Sequence, residues 1–330
     1  MRLLSPGTAL ALSEMELPRL RAHEVRLAVE ACGVCRTDLH LLDGELPGTY
    51  CPVTPGHEIV GTVIASGPDA RRFHLGDRVG VPWLAFTCGE CRYCRGGLEN
   101  LCERARFTGY TRDGGYAEEA LADERYCLSL PRATDAARLA PLLCAGLIGY
   151  RAYRAAGGTS LELRSLGLYG FGAAAHLLTQ IARSQGRRVF AFTRAGDEAG
   201  QAFARELGAV WAGSSQELPP EPLDAAILFA PVGALVPAAL AAVRPGGRVV
   251  CAGIHMSDVP AFPYRLLWGE RSVSSVANLT RADGEEFLSV AGRIGLEATV
   301  ERFALTEANA ALGRLRSGAL RGAAVLVPGA

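Results

Sequence analysis

Cys88-Gly-Glu-Cys91-Arg-Tyr-Cys94, with Cys102 shortly downstream, sets four thiols in one short Gly-containing stretch. Thiols so close in sequence can close a tetrahedron around one ion, which forces the stretch into a tight lobe. A complete Cys₄ shell reads as a structural zinc site. Every ligand is then protein, so no position is left for a substrate, and the ion stabilises the lobe without doing chemistry. The alternative is a set of free or disulfide-linked thiols, which suits an oxidising compartment. Residues 1–6 lack the apolar core of a signal peptide and no run approaches a membrane span. The expectation is a cytoplasmic chain, where metal binding explains ten Cys better than a disulfide framework does.

A lobe of this kind must sit on a larger scaffold. With 330 residues, 49% hydrophobic and 21% charged, the chain suits two globular domains. Short β-branched runs at 25–32 and 58–66, punctuated by Gly and Pro, predict a compact β-rich first part. From 146 to 283 the pattern changes to short apolar strands alternating with helices: 166–170 then 174–185, 189–193 then 198–207, 225–229 then 234–243. That alternation predicts a parallel, doubly wound sheet. Helices near 284–293 and 307–317 and a last strand at 323–328 are expected to rejoin the first domain. The domains are thus read as 1–145 plus 284–330, and 146–283.

Two further groupings carry chemistry. Cys35, the pair His57-Glu58, and Cys144 form a second potential ligand set; Cys₂His leaves one coordination position open for water or substrate. Taken singly, Cys144 could equally be a small core residue and His57 a satisfied turn histidine. Gly170-Phe171-Gly172-Ala173-Ala174-Ala175 follows an apolar strand and opens a helix, a G-x-G-x-x-A pattern. Gly170 and Gly172 permit a tight turn and close approach of a pyrophosphate to the helix N-terminus, and Ala175 is a permitted third position. Alone, such a motif could be an ordinary Gly-rich turn.

Cys32-Gly33-Val34-Cys35-Arg36-Thr37-Asp38-Leu39-His40, then Pro55-Gly56-His57-Glu58-Ile59-Val60-Gly61, Gly76-Asp77-Arg78-Val79 and the four-cysteine lobe resemble the zinc-containing medium-chain dehydrogenase family. Trp83-Leu84-Ala85-Phe86-Thr87-Cys88 and Gly114-Gly115-Tyr116-Ala117-Glu118 are similar to its bacterial and yeast-type alcohol dehydrogenases. The resemblance covers essentially the whole chain. It implies a GroES-like β-barrel catalytic domain joined to a Rossmann dinucleotide-binding domain. It also implies two zinc ions per chain and reversible hydride transfer between NAD(P)(H) and a primary or simple alcohol or aldehyde. Cys35, His57 and Cys144 would ligate the catalytic zinc, with Glu58 an occasional or indirect ligand. A zinc ion there serves as a Lewis acid. Thr37 and His40 match a proton relay, Asp38 the carboxylate that orients the zinc-bound histidine, and Trp83 with Leu84 one wall of the alcohol pocket.

Cofactor choice depends on the end of the strand at 189–193. An NAD-preferring relative usually presents Asp or Glu there to the adenosine ribose; this chain has Thr193 and Arg194. No carboxylate repels a 2′-phosphate, and a hydroxyl and a guanidinium are offered, which favours NADP(H) over NAD(H). An NADPH-dependent aldehyde reductase of broad-range or cinnamyl type is the competing enzyme. A non-catalytic zinc- and dinucleotide-binding sensor is the competing reading from another class. Net charge is zero, so neither nucleic acid nor an anionic membrane is an expected partner. Lys is absent, which excludes Schiff-base and P-loop lysine chemistry. Relatives imply a homodimer or homotetramer paired through the dinucleotide domains. Leu320-Arg321-Gly322-Ala323 lacks the usual Gly-before-Arg order, so Arg321 is not assigned to pyrophosphate.

Overall fold

The structure is a computed structural model that describes residues 1–329. The chain folds into two units: Met1–Ala145 with Asn278–Glu285 and Ala298–Ala330, and Gly146–Ala277 with Glu286–Glu297.

The first unit is built on the long strand Glu24–Val34, which alternates apolar and polar positions along its first half. Val25, Leu27 and Val29 point inward, and the strand pairs antiparallel with Ile59–Ser66 along its length. Glu119–Asp123 flanks its first half and Ala323–Val327 its last residues, both antiparallel. Arg78–Val81, Leu128–Ser129 and Val300–Ala304 complete a seven-stranded sheet. Leu27, Val63, Val79, Tyr116 and Leu326 lie in one buried cluster inside it. The four-cysteine lobe leaves this body between the short strands Leu84–Phe86 and Arg106–Phe107.

The second unit carries the predicted alternation. Strand Ser165–Tyr169 leads to helix Ala173–Ser184, Arg188–Thr193 to Glu198–Glu206, and Leu223–Leu228 to Leu235–Ala242. With Trp211–Ser214, Val243–Cys251 and Ser272–Ser275 the strands form a six-stranded, wholly parallel sheet. Counted along the chain, their spatial order is 3-2-1-4-5-6, the doubly wound order with its switch point between the first and fourth strands. Ser165–Tyr169 is buried throughout, as a central strand covered on both faces must be.

The tail divides differently from the sequence expectation. Residues 284–330 were expected to rejoin the first domain as a block, yet one helix, Arg281–Ile294, contributes to both units. The start of the helix belongs to the first unit because Arg281 N and Nε donate to Glu99 Oε1, at 3.0 and 3.3 Å. The remainder belongs to the second because Phe287 packs on Tyr150, and a Cβ at Gly146 would lie 2.4 Å from the Phe287 ring. Among the described residues no helix is long and apolar enough to cross a membrane.

Candidate metal centres and dinucleotide site

The helix Arg36–Leu42 starts at Cys35, an extended N-cap residue. Its first turn brings Asp38 back to the cap: Cys35 N donates to Asp38 Oδ2 at 2.8 Å. Asp38 is 1% exposed, and its second carboxylate oxygen lies 3.4 Å from His57 Nδ1, an ionic contact rather than a full hydrogen bond. Tyr116, also sealed from solvent, donates its hydroxyl to Asp38 Oδ2.

His57 reaches this position through Gly56, whose φ of +95° is the left-handed region. A Cβ there would stand 2.4 Å from the Tyr116 ring and 2.7 Å from Cys32 Sγ, so both backbone and space demand glycine. The His57 and Trp83 rings meet in a T-shaped pair, their centroids 4.8 Å apart. Trp83 in turn stacks on Phe107 and Tyr110, and is 8% exposed. Leu84 is fully buried in the strand that follows. Cys144 arrives at the junction between a 3₁₀ turn, Ala140–Leu143, and helix Ala145–Ala155.

These elements bring Cys35, His57, Glu58 and Cys144 together, each offering one ligand atom within 4.8 Å of the others. Cys35 Sγ and Cys144 Sγ are 3.8 Å apart, far beyond a disulfide of about 2.0 Å. A tetrahedral ion with metal–sulfur bonds of about 2.3 Å sets two sulfurs about 3.8 Å apart. His57 Nε2 is buried with no hydrogen-bond partner among the described residues. A soft donor pair at tetrahedral spacing, beside an orphaned imidazole nitrogen, fits zinc.

Without an ion to share, the four groups divide the protons among them. The hydrogen bond from Cys144, against burial and helped by His57, holds the Cys35 thiol well below its usual pKa. Its partner Cys144 is pushed well up by that same bond and by burial. Burial works to lower the His57 pKa, but the charges and hydrogen bonds of Asp38 and Cys35 together outweigh it and hold the ring well above its ordinary value. Glu58 is pushed well up, chiefly by burial.

Cys88, Cys91, Cys94 and Cys102 likewise converge within 4.8 Å. Cys88 and Cys94 sulfurs are 3.8 Å apart, those of Cys91 and Cys94 3.5 Å. Backbone N–H groups of Cys88, Cys91 and Cys94 donate to lobe sulfurs at 3.4 to 3.5 Å, which favours thiolate. The backbone N–H groups of Glu90 and Cys91 bring Cys88 down to about 6, whereas burial pushes Cys102 up to about 11.

Thr37 and His40 are both buried on the Arg36–Leu42 helix, with Thr37 Oγ1 3.7 Å from Cys35 Sγ. His40 Nδ1 lies 2.5 Å from Glu45 Oε2. Glu45 and Tyr116 are contacts that the sequence reading did not single out. The Gly44 turn was the available signal for Glu45; for Tyr116 there was none beyond its place in a family motif.

In the second unit Gly170, with φ +89°, ends the first strand of the sheet, where a Cβ would lie 2.8 Å from Ala230 N. Gly172 caps helix Ala173–Ser184 and is open to solvent, Ala175 is fully buried, and Phe171 meets Phe203 edge-on. A bare, positively polarised helix N-terminus thus follows a glycine turn at the switch strand. Thr193 is 4% exposed; its hydroxyl donates to Arg194 O at 3.1 Å and accepts from Gln201 Nε2 at 3.2 Å. The Arg194 side chain is exposed.

Residues 21–132 match the family model described as the alcohol dehydrogenase GroES-like domain. Across 318 residues the chain is 46% identical to the "Probable alcohol dehydrogenase AdhA" of Mycobacterium tuberculosis, covering 94% of this chain and 90% of that protein. Among solved structures it is similar to a cinnamyl alcohol dehydrogenase from Sorghum bicolor, with TM-score 0.87, 27% identity and coverage of 95% and 92%. It is similar also to the cobalt- and zinc-bound thermostable alcohol dehydrogenase of Pyrobaculum aerophilum, with TM-score 0.88, 26% identity and coverage of 99% and 98%.

Proposed function

Since the chain belongs to the zinc-containing medium-chain alcohol dehydrogenase family, with a GroES-like domain and a Rossmann domain, we propose that it is a zinc-dependent enzyme exchanging hydride between a simple alcohol or aldehyde and NADP(H). The observation that carries this reading is the convergence of Cys35, His57, Glu58 and Cys144 at tetrahedral sulfur spacing. Cys35, His57 and Cys144 would hold the catalytic zinc, with Glu58 beside them, and Cys88, Cys91, Cys94 and Cys102 a structural one. When bound, the open-site ion supplies Lewis-acid polarisation of the substrate oxygen.

The chain's own residues do the rest. Asp38 meets the Nδ1 side of the His57 ring, which would leave Nε2 to a bound ion. Thr37 sits where a hydroxyl beside Cys35 can take the alcohol proton, and His40, one turn further, carries it outward. Trp83, in contact with the His57 ring, would form an apolar wall that suits small alcohols, with Leu84 buried next to it in the chain. The turn Gly170-Phe171-Gly172 would let a pyrophosphate approach the helix N-terminus, and the buried Ala175 would let that helix pack closely on its strand. With the Thr193 hydroxyl already engaged, the preference for NADP(H) rests on the exposed Arg194. Self-association is read through the edge strand Ser272–Ser275, exposed at every residue; on the same unit Tyr264 and Trp268 are each 68% exposed. An unpaired parallel edge of this kind suits twofold pairing with a second copy.

A second reading, an NADPH-dependent aldehyde reductase of cinnamyl or broad-range type, is favoured by Arg194 and by the likeness to the sorghum enzyme. Initial rates with NAD(H) and NADP(H) against a panel of alcohols and aldehydes separate the two. The zinc assignment is tested in parallel by Cys35→Ser. Unchanged metal content together with unchanged activity towards the whole panel would overturn it.

A further inference from the structure

The end of the helix Arg36–Leu42 joins His40 to Glu45 through backbone geometry alone. Asp43 caps the helix, Gly44 takes φ +73°, and the chain doubles back. Gly44 N donates to Leu41 O at 3.2 Å, and Glu45 N to His40 O at 2.9 Å. These two bonds define the left-handed helix ending in which the second residue past the cap meets a side chain of the last turn. That meeting is commonly apolar; here it unites an imidazole and a carboxylate, with His40 Nδ1 2.5 Å from Glu45 Oε2. The His40 side chain is 10% exposed and that of Glu45 40%. One partner faces the interior and the other faces water.

The other charges nearby are already committed. Arg316, on the helix Ala308–Ser317, grips both Asp43 oxygens at 2.7 and 2.8 Å. Its hydrogen bonds hold the Asp43 carboxyl below the usual range. Glu45 is thus the carboxylate in contact with His40, while Asp43 is tied to its arginine.

We infer that Glu45 is the outer carrier of the proton relay, the group through which the substrate proton leaves His40 for solvent. The inference rests on the reading in which Thr37 and His40 carry that proton. In alcohol oxidation His40 takes the relayed proton on Nε2; its Nδ1–H bond then breaks, the electron pair stays on the ring, and that proton forms an O–H bond with Glu45 Oε2. Glu45 then releases it to water; aldehyde reduction runs the transfer backwards. No oxidant or reductant takes part. Glu45 acts through His40, positioning its ring and draining its proton.

The test is a single turnover of the zinc-loaded enzyme with ethanol and whichever of NAD⁺ or NADP⁺ it accepts. A pH indicator follows proton release, and nicotinamide absorbance follows hydride transfer. At low buffer concentration Glu45→Ala should slow proton release by about 10²-fold, the lower range for a placed acid–base group, and added formate or acetate should restore it. Glu45→Asp should retain part of the rate. Proton release equal to wild type in Glu45→Ala at every buffer concentration, with His40→Ala slow and rescued by imidazole, overturns the inference and leaves the relay standing. A slow Glu45→Ala enzyme that no carboxylate buffer restores marks a merely structural role and also overturns it. If His40→Ala is as fast as wild type, relay and inference fall together.

Discussion

The Tyr116 hydroxyl donates to Asp38 Oδ2 across 3.0 Å, with both side chains sealed from solvent. Asp38 in turn faces His57 Nδ1, so a tyrosine that is not itself a proposed ligand stands behind the histidine. Tyr116→Phe removes one donor from a buried carboxylate and should cost about 1–3 kcal/mol of stability. Zinc affinity should fall by about 10- to 100-fold, as for other partners that orient a ligand, and competition with a chelator measures it. Unchanged affinity would show that Asp38 holds His57 without help.

Metal analysis of the wild type should find about two zinc ions per chain. Cys35→Ser should lose one and keep the folded lobe; Cys91→Ser should lose the other and lower the unfolding temperature more, because a closed Cys₄ site contributes directly to folding. Retention of both ions by either variant would remove that residue from its ligand set.

The contrast between these two predictions reflects what a sequence displays. Cys88 to Cys102 are neighbours along the chain, so their spacing alone announces a lobe, and strand–turn–helix order makes Gly170 and Gly172 readable in the same way. Cys35, His57 and Cys144 lie far apart, so the chain offers them only as a possible ligand set, which the family motifs single out and the fold brings together. The Tyr116–Asp38 contact spans 78 positions and leaves no periodic trace. The helix Arg281–Ile294 was legible as a helix, but its division between units was not, because that depends on Glu99 and Gly146 waiting at distant points. Thr193 adds what no sequence displays: the sequence offers its hydroxyl to a cofactor, and in the structure that hydroxyl donates to Arg194 O and accepts from Gln201.

That arrangement makes cofactor choice a test of one side chain. Arg194→Ala should weaken NADP⁺ by about 10-fold or more, the worth of a charge-assisted contact to phosphate, with little effect on NAD⁺. Thr193→Val should change the ratio little. Kd values for both cofactors decide it, and equal losses for NAD⁺ and NADP⁺ in Arg194→Ala would sink the preference.

His176 links the dinucleotide helix to pH. It is fully buried in Ala173–Ser184, and burial brings its pKa down to about 4, against about 6.5 for an exposed histidine. As pH falls, the unfolded chain therefore takes up this proton first, and protonation favours unfolding. The stability tied to the neutral ring is fully present above about pH 6.5 and is lost progressively as pH falls towards 4. The difference in pKa corresponds to about 3 kcal/mol. His176→Gln keeps a polar side chain of similar reach without a titrating proton, so its unfolding free energy should depend less on pH across that window. Urea unfolding of both proteins at pH 7 and pH 4.5 measures the difference. Parallel losses in the two would assign the acid sensitivity to groups other than His176.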